Sequence, residues 1–223
     1  FYPGGLPANR WRLFSIPGII DSNEIKPNDL EDGHVFYDWD PVAESWFKPE
    51  SIVIGRAYWF KHKYDDSVIF SNKDTTGYSV PLEPYEVKLH QGANMVGSPF
   101  PFPVLAELSE GVKGPYKYGS DLKEGWADTN VFEPWAGYAV ESPSDSGKIT
   151  FYPIQDTTIA ARTTNSGWRL NLDLSSNSSF DRTSAIGRCD ACEENVDMND
   201  MRLLPSLTQR VYISPVSYTH HRA

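Results

Sequence analysis

Short runs rich in β-branched and aromatic residues recur along this chain, separated by turn chemistry rather than by helical spacing. Residues 11–16, 51–60, 67–70, 86–90, 138–141 and 148–152 each read as a strand, because such side chains suit a pleated, half-buried surface. Turn signals bound them at Pro17-Gly18, Asp32-Gly33, Thr76-Gly77, residues 111–115 and residues 142–147. Helical apolar spacing is not sustained over any window of about 11 residues. Single helical turns are the most that is expected, over residues 28–32 and 104–108. Prolines at 99, 101 and 103 withhold ladder donors, so residues 97–103 belong at an edge or in a connection. Past Pro153 the chain turns polar and Thr-rich, and a fresh alternating strand begins at Gly167-Trp168-Arg169-Leu170-Asn171-Leu172. A boundary is therefore expected near residue 155.

The apolar pattern also repeats. Arg10-Trp11-Arg12-Leu13-Phe14-Ser15-Ile16-Pro17 lines up with Gly92-Ala93-Asn94-Met95-Val96-Gly97-Ser98-Pro99. Ala57-Tyr58-Trp59-Phe60 lines up with Gly137-Tyr138-Ala139-Val140, and Trp46 falls opposite Trp126, all at an offset of about 80 residues. Shared positions of this kind fill cores and fix turns; none carries a catalytic group. The expected architecture is all-β: a pseudo-twofold, duplicated antiparallel domain over residues 1–154, with halves of about 1–82 and 83–154. A partial β-sandwich follows over 155–214. Trp11, Leu13, Phe14, Tyr58, Val96, Tyr138 and Val140 are expected to face a core shared by the halves.

Composition narrows the function classes. A formal charge of −10 and a pI near 4.9 argue against nucleic acid, whose phosphates need clustered Lys and Arg. No window approaches the run of about 20 apolar residues of a membrane helix. Seventeen Pro, sixteen Gly and 13% aromatic residues fit turn-rich extracellular β modules better than a helical cytosolic enzyme. The chain opens on Phe1 with no charged-then-apolar leader, which reads as a mature or trimmed form.

Residues 10–17 and 92–99 resemble the Gly-Trp-Asn-Leu-Ile-Ser-x-Pro repeats of bacterial and archaeal secreted surface proteins. There the repeat is followed by an aromatic-Asp segment and Gly-Tyr-Trp; here the matching segments are Tyr37-Asp38-Trp39-Asp40-Pro41 and Ala57-Tyr58-Trp59. The second copy departs from the pattern at Ala93 and Ala139, where the family has aromatic residues, and this marks either a gap or a contact with the neighbouring module. Residues 167–214 resemble the immunoglobulin-like sandwich segment that precedes C-terminal sorting signals, through Trp168, Asp181, Gly187, Asp197, Asp200 and Pro205. The resemblance implies export and a place at, or release from, a cell surface. Residues 215–223 resemble translated cloning-adaptor sequence, which implies a truncated gene whose natural product continues; an ordinary polar terminus is the alternative.

Candidate chemistry is sparse. Cys189-Asp190-Ala191-Cys192 lacks the second ligand pair of a zinc site and any βαβ context for redox work, so a local disulfide or an incidental pair is expected. Asp190, Glu193, Glu194, Asp197, Asn199 and Asp200 offer oxygen donors but break calcium-loop spacing, which leaves a solvated acidic loop. His34, His62 and His90 show no ligand-like pairing. No nucleophile elbow, zincin motif, phosphate loop or dinucleotide fingerprint occurs, and no cofactor is expected. Trp39, Trp126 and Trp135 lie among Asp, Tyr, Lys and Gly, so they are the candidate ligand-binding residues, able to dock sugar faces if exposed. For Trp126, as for Trp46, repetition between the halves favours a core anchor instead. The expected function is a noncatalytic extracellular module of a larger bacterial surface protein, giving adhesion or carbohydrate contact. Its expected partner is a polysaccharide or cell-surface component, with dimerisation through exposed sheet edges also open. The alternative is an accessory domain or fragment of a secreted hydrolase.

Overall fold

A computed structural model describes residues 9–18, 34–62, 80–119, 124–154, 167–177 and 179–189. Every regular element among them is a strand. In chain order these are β1 Trp11–Phe14, β2 His34–Asp40, β3 Ser45–Phe47, β4 Tyr58–His62, β5 Tyr85–Lys88, β6 Gly92–Gly97, β7 Ala106–Leu108 and β8 Lys113–Gly119. Then come β9 Glu124–Asp128, β10 Gly137–Ser142, β11 Lys148–Phe151, β12 Gly167–Asn171, β13 Leu174–Ser175, β14 Ser179–Arg182 and β15 Ala185–Cys189. The expected strand at 67–70 and helical turn at 28–32 lie outside the described residues. The helical turn expected at 104–108 is a strand instead. Val104 exchanges backbone hydrogen bonds with Phe132, and Ala106 and Leu108 pair with Phe151 and Ile149. The turn expected at 111–115 is likewise partly strand, since β8 begins at Lys113.

Two sheets share one strand order. The first runs β1-β4-β2-β3; the second contains β6-β10-β8-β9, extended by β14 and β13. Their registers agree as well. Phe14 faces Tyr58 across β1–β4 as Val96 faces Tyr138 across β6–β10. Trp39 faces Trp46 across β2–β3 as Tyr118 faces Trp126 across β8–β9. The tyrosine hydroxyls also match: Tyr58 accepts from the Val53 N–H and Tyr138 from the Glu133 N–H, each at 2.7 Å and each five residues upstream.

Alternation along these strands distributes side chains among three cores, because successive residues of a strand point to opposite faces. Phe14, Tyr58 and Phe60 join Ile16, Phe36 and Ile52 in a core belonging to the first sheet. Val96, Tyr138 and Val140 join Phe100, Phe132, Ile149 and Phe151 in a second core, roofed by the three-stranded sheet β5-β11-β7. The residues between them, Leu13, Trp59, Met95 and Ala139, turn the other way and meet Trp126, Tyr116 and Tyr118 in a third core where the two sheets face each other. The expected inward-facing set is thus divided among three clusters, with Leu13 in the shared one and Trp11 packed partly buried against it.

Close approach at the centre of this contact explains two small residues. A Cβ on Gly97 would stand 2.0 Å from that of Ser15, and one on Gly137 would stand 2.7 Å from that of Ala57. The flanking hydrogen bonds are reciprocal: Ser15 N–H donates to Trp135 C=O at 3.4 Å, and Gly97 N–H donates to Gly55 C=O at 3.1 Å. Both acceptor residues occupy the left-handed region, with φ of 66° at Trp135 and 84° at Gly55. Glycine reaches that conformation freely, whereas Trp135 must be held there by its surroundings.

Strands from beyond the boundary expected near residue 155 join the second sheet. β14 pairs in parallel with β9 and β13 pairs with β14, so both extend the second sheet. Among the described strands beyond residue 155, β12 and β15 form a separate two-stranded ribbon.

Candidate functional site

The three candidate tryptophans do not converge. Trp126 is 0% exposed and lies in the shared core, edge-on to Trp59 at 6.1 Å and to Tyr118 at 5.2 Å. It has no ring face for a ligand to cover. Trp39 is half-buried at the rim of the same core, 4.7 Å from Trp46, and its indole N–H donates to Ala93 C=O at 2.9 Å. Trp135 is half-buried against the first sheet's own core, in a different cluster. Shared burial, rather than a sugar platform, relates these rings to their neighbours. The chain Trp39, Trp46, Trp59, Trp126 runs from the rim to the interior with centroids 4.7, 6.3 and 6.1 Å apart. Inside it the indole N–H groups of Trp59 and Trp126 are buried with no hydrogen-bond acceptor among the described residues, an arrangement that costs free energy.

One charged centre lies beside the aromatic rim. Asp38 is 3% exposed. It accepts from Arg56 Nη1 at 2.8 Å through Oδ2 and from its neighbour Trp39 N–H at 2.8 Å through Oδ1. Burial outweighs the guanidinium and the N–H, and it pushes the Asp38 carboxyl above the usual carboxylate range. Asp40 follows two residues later on the same strand face. Its Oδ1 accepts from Val42 N–H at 2.9 Å and Ala43 N–H at 3.0 Å, closing the β2–β3 turn. Those two N–H groups hold its carboxyl below the usual range. Two carboxyls with oppositely shifted acidities make a familiar acid–base pattern, and i, i+2 spacing on a strand sets them about 7 Å apart. Here, however, both Asp38 oxygens are engaged by Trp39 and Arg56, and Asp40 is tied to a turn. The pair acts on the scaffold: Asp38 holds Arg56, whose backbone bridges to Val96 in the second sheet.

Elsewhere polar contacts lie across strands. Lys148 donates to Glu86 at 2.7 Å and Tyr152 to Glu107 at 2.8 Å on the outer face of the β5-β11-β7 sheet. Lys117 pairs with Glu133. His90 Nδ1 stands 3.5 Å from Asp145, and Asn94 cross-links the bend before β6 through His90 and Gly92. Burial pushes the phenols of Tyr58 and Tyr138 above the usual tyrosine range, which keeps them neutral as hydrogen-bond partners. Among the described residues no cluster of three or more His, Cys, Asp or Glu is placed to hold a metal, and no helix is long and apolar enough to cross a membrane. Cys192 and the acidic loop 190–200 lie outside the described residues.

Sequence reasoning missed Asp38 and Arg56 as a pair, because nothing in their spacing signals that β2 and the loop before β4 converge. Comparison with family models, curated proteins and solved structures finds no match to the chain. What is established is an all-β protein whose two larger sheets face each other across an aromatic core.

Proposed function

We propose that this chain is a noncatalytic module of a larger extracellular surface protein, built from two copies of one β unit and serving as a rigid spacer or adhesive element. The observation that carries the reading is the matching strand order, register and reciprocal hydrogen bonding of the two sheets. An isologous contact of this kind relates residue i of one unit to residue j of the other and j back to i. Two such units closed around a common core make a stiff body. In this reading the β12–β15 ribbon opens an immunoglobulin-like module, while β13 and β14 belong to the second sheet.

Commitment of the aromatic rings and carboxyls to packing supports a scaffold over a hydrolase or a sugar platform. Two measurements test this. Chemical denaturation followed by tryptophan emission and by far-ultraviolet circular dichroism should give one coincident transition for the two halves, as a shared core requires; separate transitions would sink the rigid-body reading. A panel of soluble polysaccharides, titrated with and without calcium, should give no saturable quenching and no release of reducing ends. Quenching that disappears in a folded Trp39→Ala, Trp135→Ala double variant would instead make the chain a carbohydrate-binding module, and turnover would make it a hydrolase.

A further inference from the structure

We propose that the outer edge of β9 is a strand-addition site for an extended segment carrying an aromatic residue, filled here by residues 179–182 and open to the same segment of a second copy. This does not depend on the proposed surface role.

Three observations carry it. First, among the described strands β14 is the one added in parallel, with Ser179, Phe180, Asp181 and Arg182 opposite Glu124, Gly125, Trp126 and Ala127. It comes from beyond the Thr-rich 155–166 stretch, and this edge is its strand pairing to the preceding sheets. Secondly, the edge is shaped for Phe180. A Cβ on Gly125 would stand 1.9 Å from Phe180 O and 2.7 Å from its ring, and the three nearest atoms all belong to Phe180. A Cβ on Gly119 would stand 3.1 Å from Phe180 Cζ. Neither glycine has a positive φ, so close approach of the added strand, not backbone conformation, is what requires them. The corresponding cross-strand pair of the first sheet is Asp40 and Ser45, where the second has Gly119 and Gly125. There β3 is the outermost strand.

Thirdly, the added segment holds its own shape. Ser176 N–H donates to Ser179 C=O at 2.8 Å, and Ser179 N–H to Ser176 Oγ at 3.1 Å. Asp181 Oδ1 accepts from Thr183 N–H at 2.9 Å and Thr183 Oγ1 at 2.8 Å, and its Oδ2 from Ser184 Oγ at 2.8 Å. A segment preorganised by such contacts needs little further ordering to dock. The edge then has no means of telling its own strand from an identical one. The tethered strand prevails through its effective concentration, and vacating it admits the other.

The test uses full-length chains. Phe180→Pro removes the ring and a ladder donor from the arm but leaves the edge intact; Gly125→Val blocks the edge but leaves the arm intact. Each alone should be monomeric. Mixed at equal concentration, they should sediment as a one-to-one heterodimer. A labelled peptide of residues 173–184 should bind the Phe180→Pro chain about 10-fold or more tightly than the wild type, where the tethered strand competes, and should not bind the Phe180→Pro, Gly125→Val double variant. Phe180→Ala, with the same ordering expected, replaces Phe180→Pro if that chain does not fold. Variants with native tryptophan emission that stay monomeric on mixing, or peptide binding that survives Gly125→Val, would overturn the site.

Discussion

The two facing sheets have one topology but not one composition, and the differences interlock. Where the first sheet places Trp59, the second places Ala139; where the first has Ala57, the second has Gly137. All but the glycine lie in the shared core, and a Cβ on Gly137 would stand 2.6 Å from Leu13 Cγ. Bulk on one side is thus matched by its removal on the other, as a close-packed interior demands. Ala139 is fully buried in that core, and Ala93 gives its carbonyl to the Trp39 indole. Outside the shared core the sheets differ more. The second is roofed by β5-β11-β7 and extended by β14, while at the first sheet's outer hairpin Val42 is 75% exposed.

The strongest way to break this comparison is to empty the side that supplies the bulk. Trp59→Ala leaves a cavity between the sheets and should cost about 3–5 kcal/mol, read as a lowered urea midpoint. The converse change, Ala139→Trp, overfills the same space and should also destabilise, by about 1–3 kcal/mol. If Trp59→Ala left the midpoint unchanged, the shared core would not be what holds the sheets together.

A smaller effect sharpens the equivalence of the halves. Tyr58→Phe and Tyr138→Phe each remove an acceptor from one upstream N–H, at Val53 and Glu133, and leave the ring in place. Each should cost about 1–2 kcal/mol, and the two costs should agree to within about 0.5 kcal/mol and add in the double variant, since distant, independent sites behave so. A clear inequality between the two midpoint shifts would mean that the matched geometry is not matched energetically.

How much of this could be read from the sequence follows from where its signals arise. β1, β4, β10 and β11 were visible because their aromatic and β-branched runs are local. β2 and β8 were not: His34-Val35-Phe36-Tyr37-Asp38-Trp39-Asp40 and Lys113-Gly114-Pro115-Tyr116-Lys117-Tyr118-Gly119 mix turn formers and charges with rings. Such segments become strands through the neighbours that flank them in the sheet. The repeat located the strand pairs that match, yet one shared core was expected where there are three, because alternation assigns faces without saying what covers each face. The candidate tryptophans failed to gather for the same reason. For Trp126, polar sequence neighbours allowed exposure while its match to Trp46 favoured a core anchor; it is buried, packed against Trp59 and Tyr118 from other strands. The Asp38 and Arg56 pair was equally silent, being a product of tertiary approach.

The smallest predicted effect separates two aspartates on one strand. Asp38 has its acidity weakened by burial in the fold, so protonation favours the folded state there; its contribution is complete below the unfolded value of 3.8 and declines as pH rises through the higher folded value. Asp40 is held below 3.8, so its contribution is present above that value and is lost as pH falls through the lower folded one. Asp38→Asn keeps the shape but removes the charge facing a partly exposed Arg56. Its signature is the pH dependence. Wild type should gain relative to Asp38→Asn as pH is lowered from neutral toward 3.8, whereas wild type should lose relative to Asp40→Asn once pH falls below 3.8. Parallel denaturation midpoints across that range for wild type and Asp38→Asn would mean that Arg56 and the Trp39 N–H offset the burial of Asp38. The clasp beside the shared core would then be an ordinary ion pair.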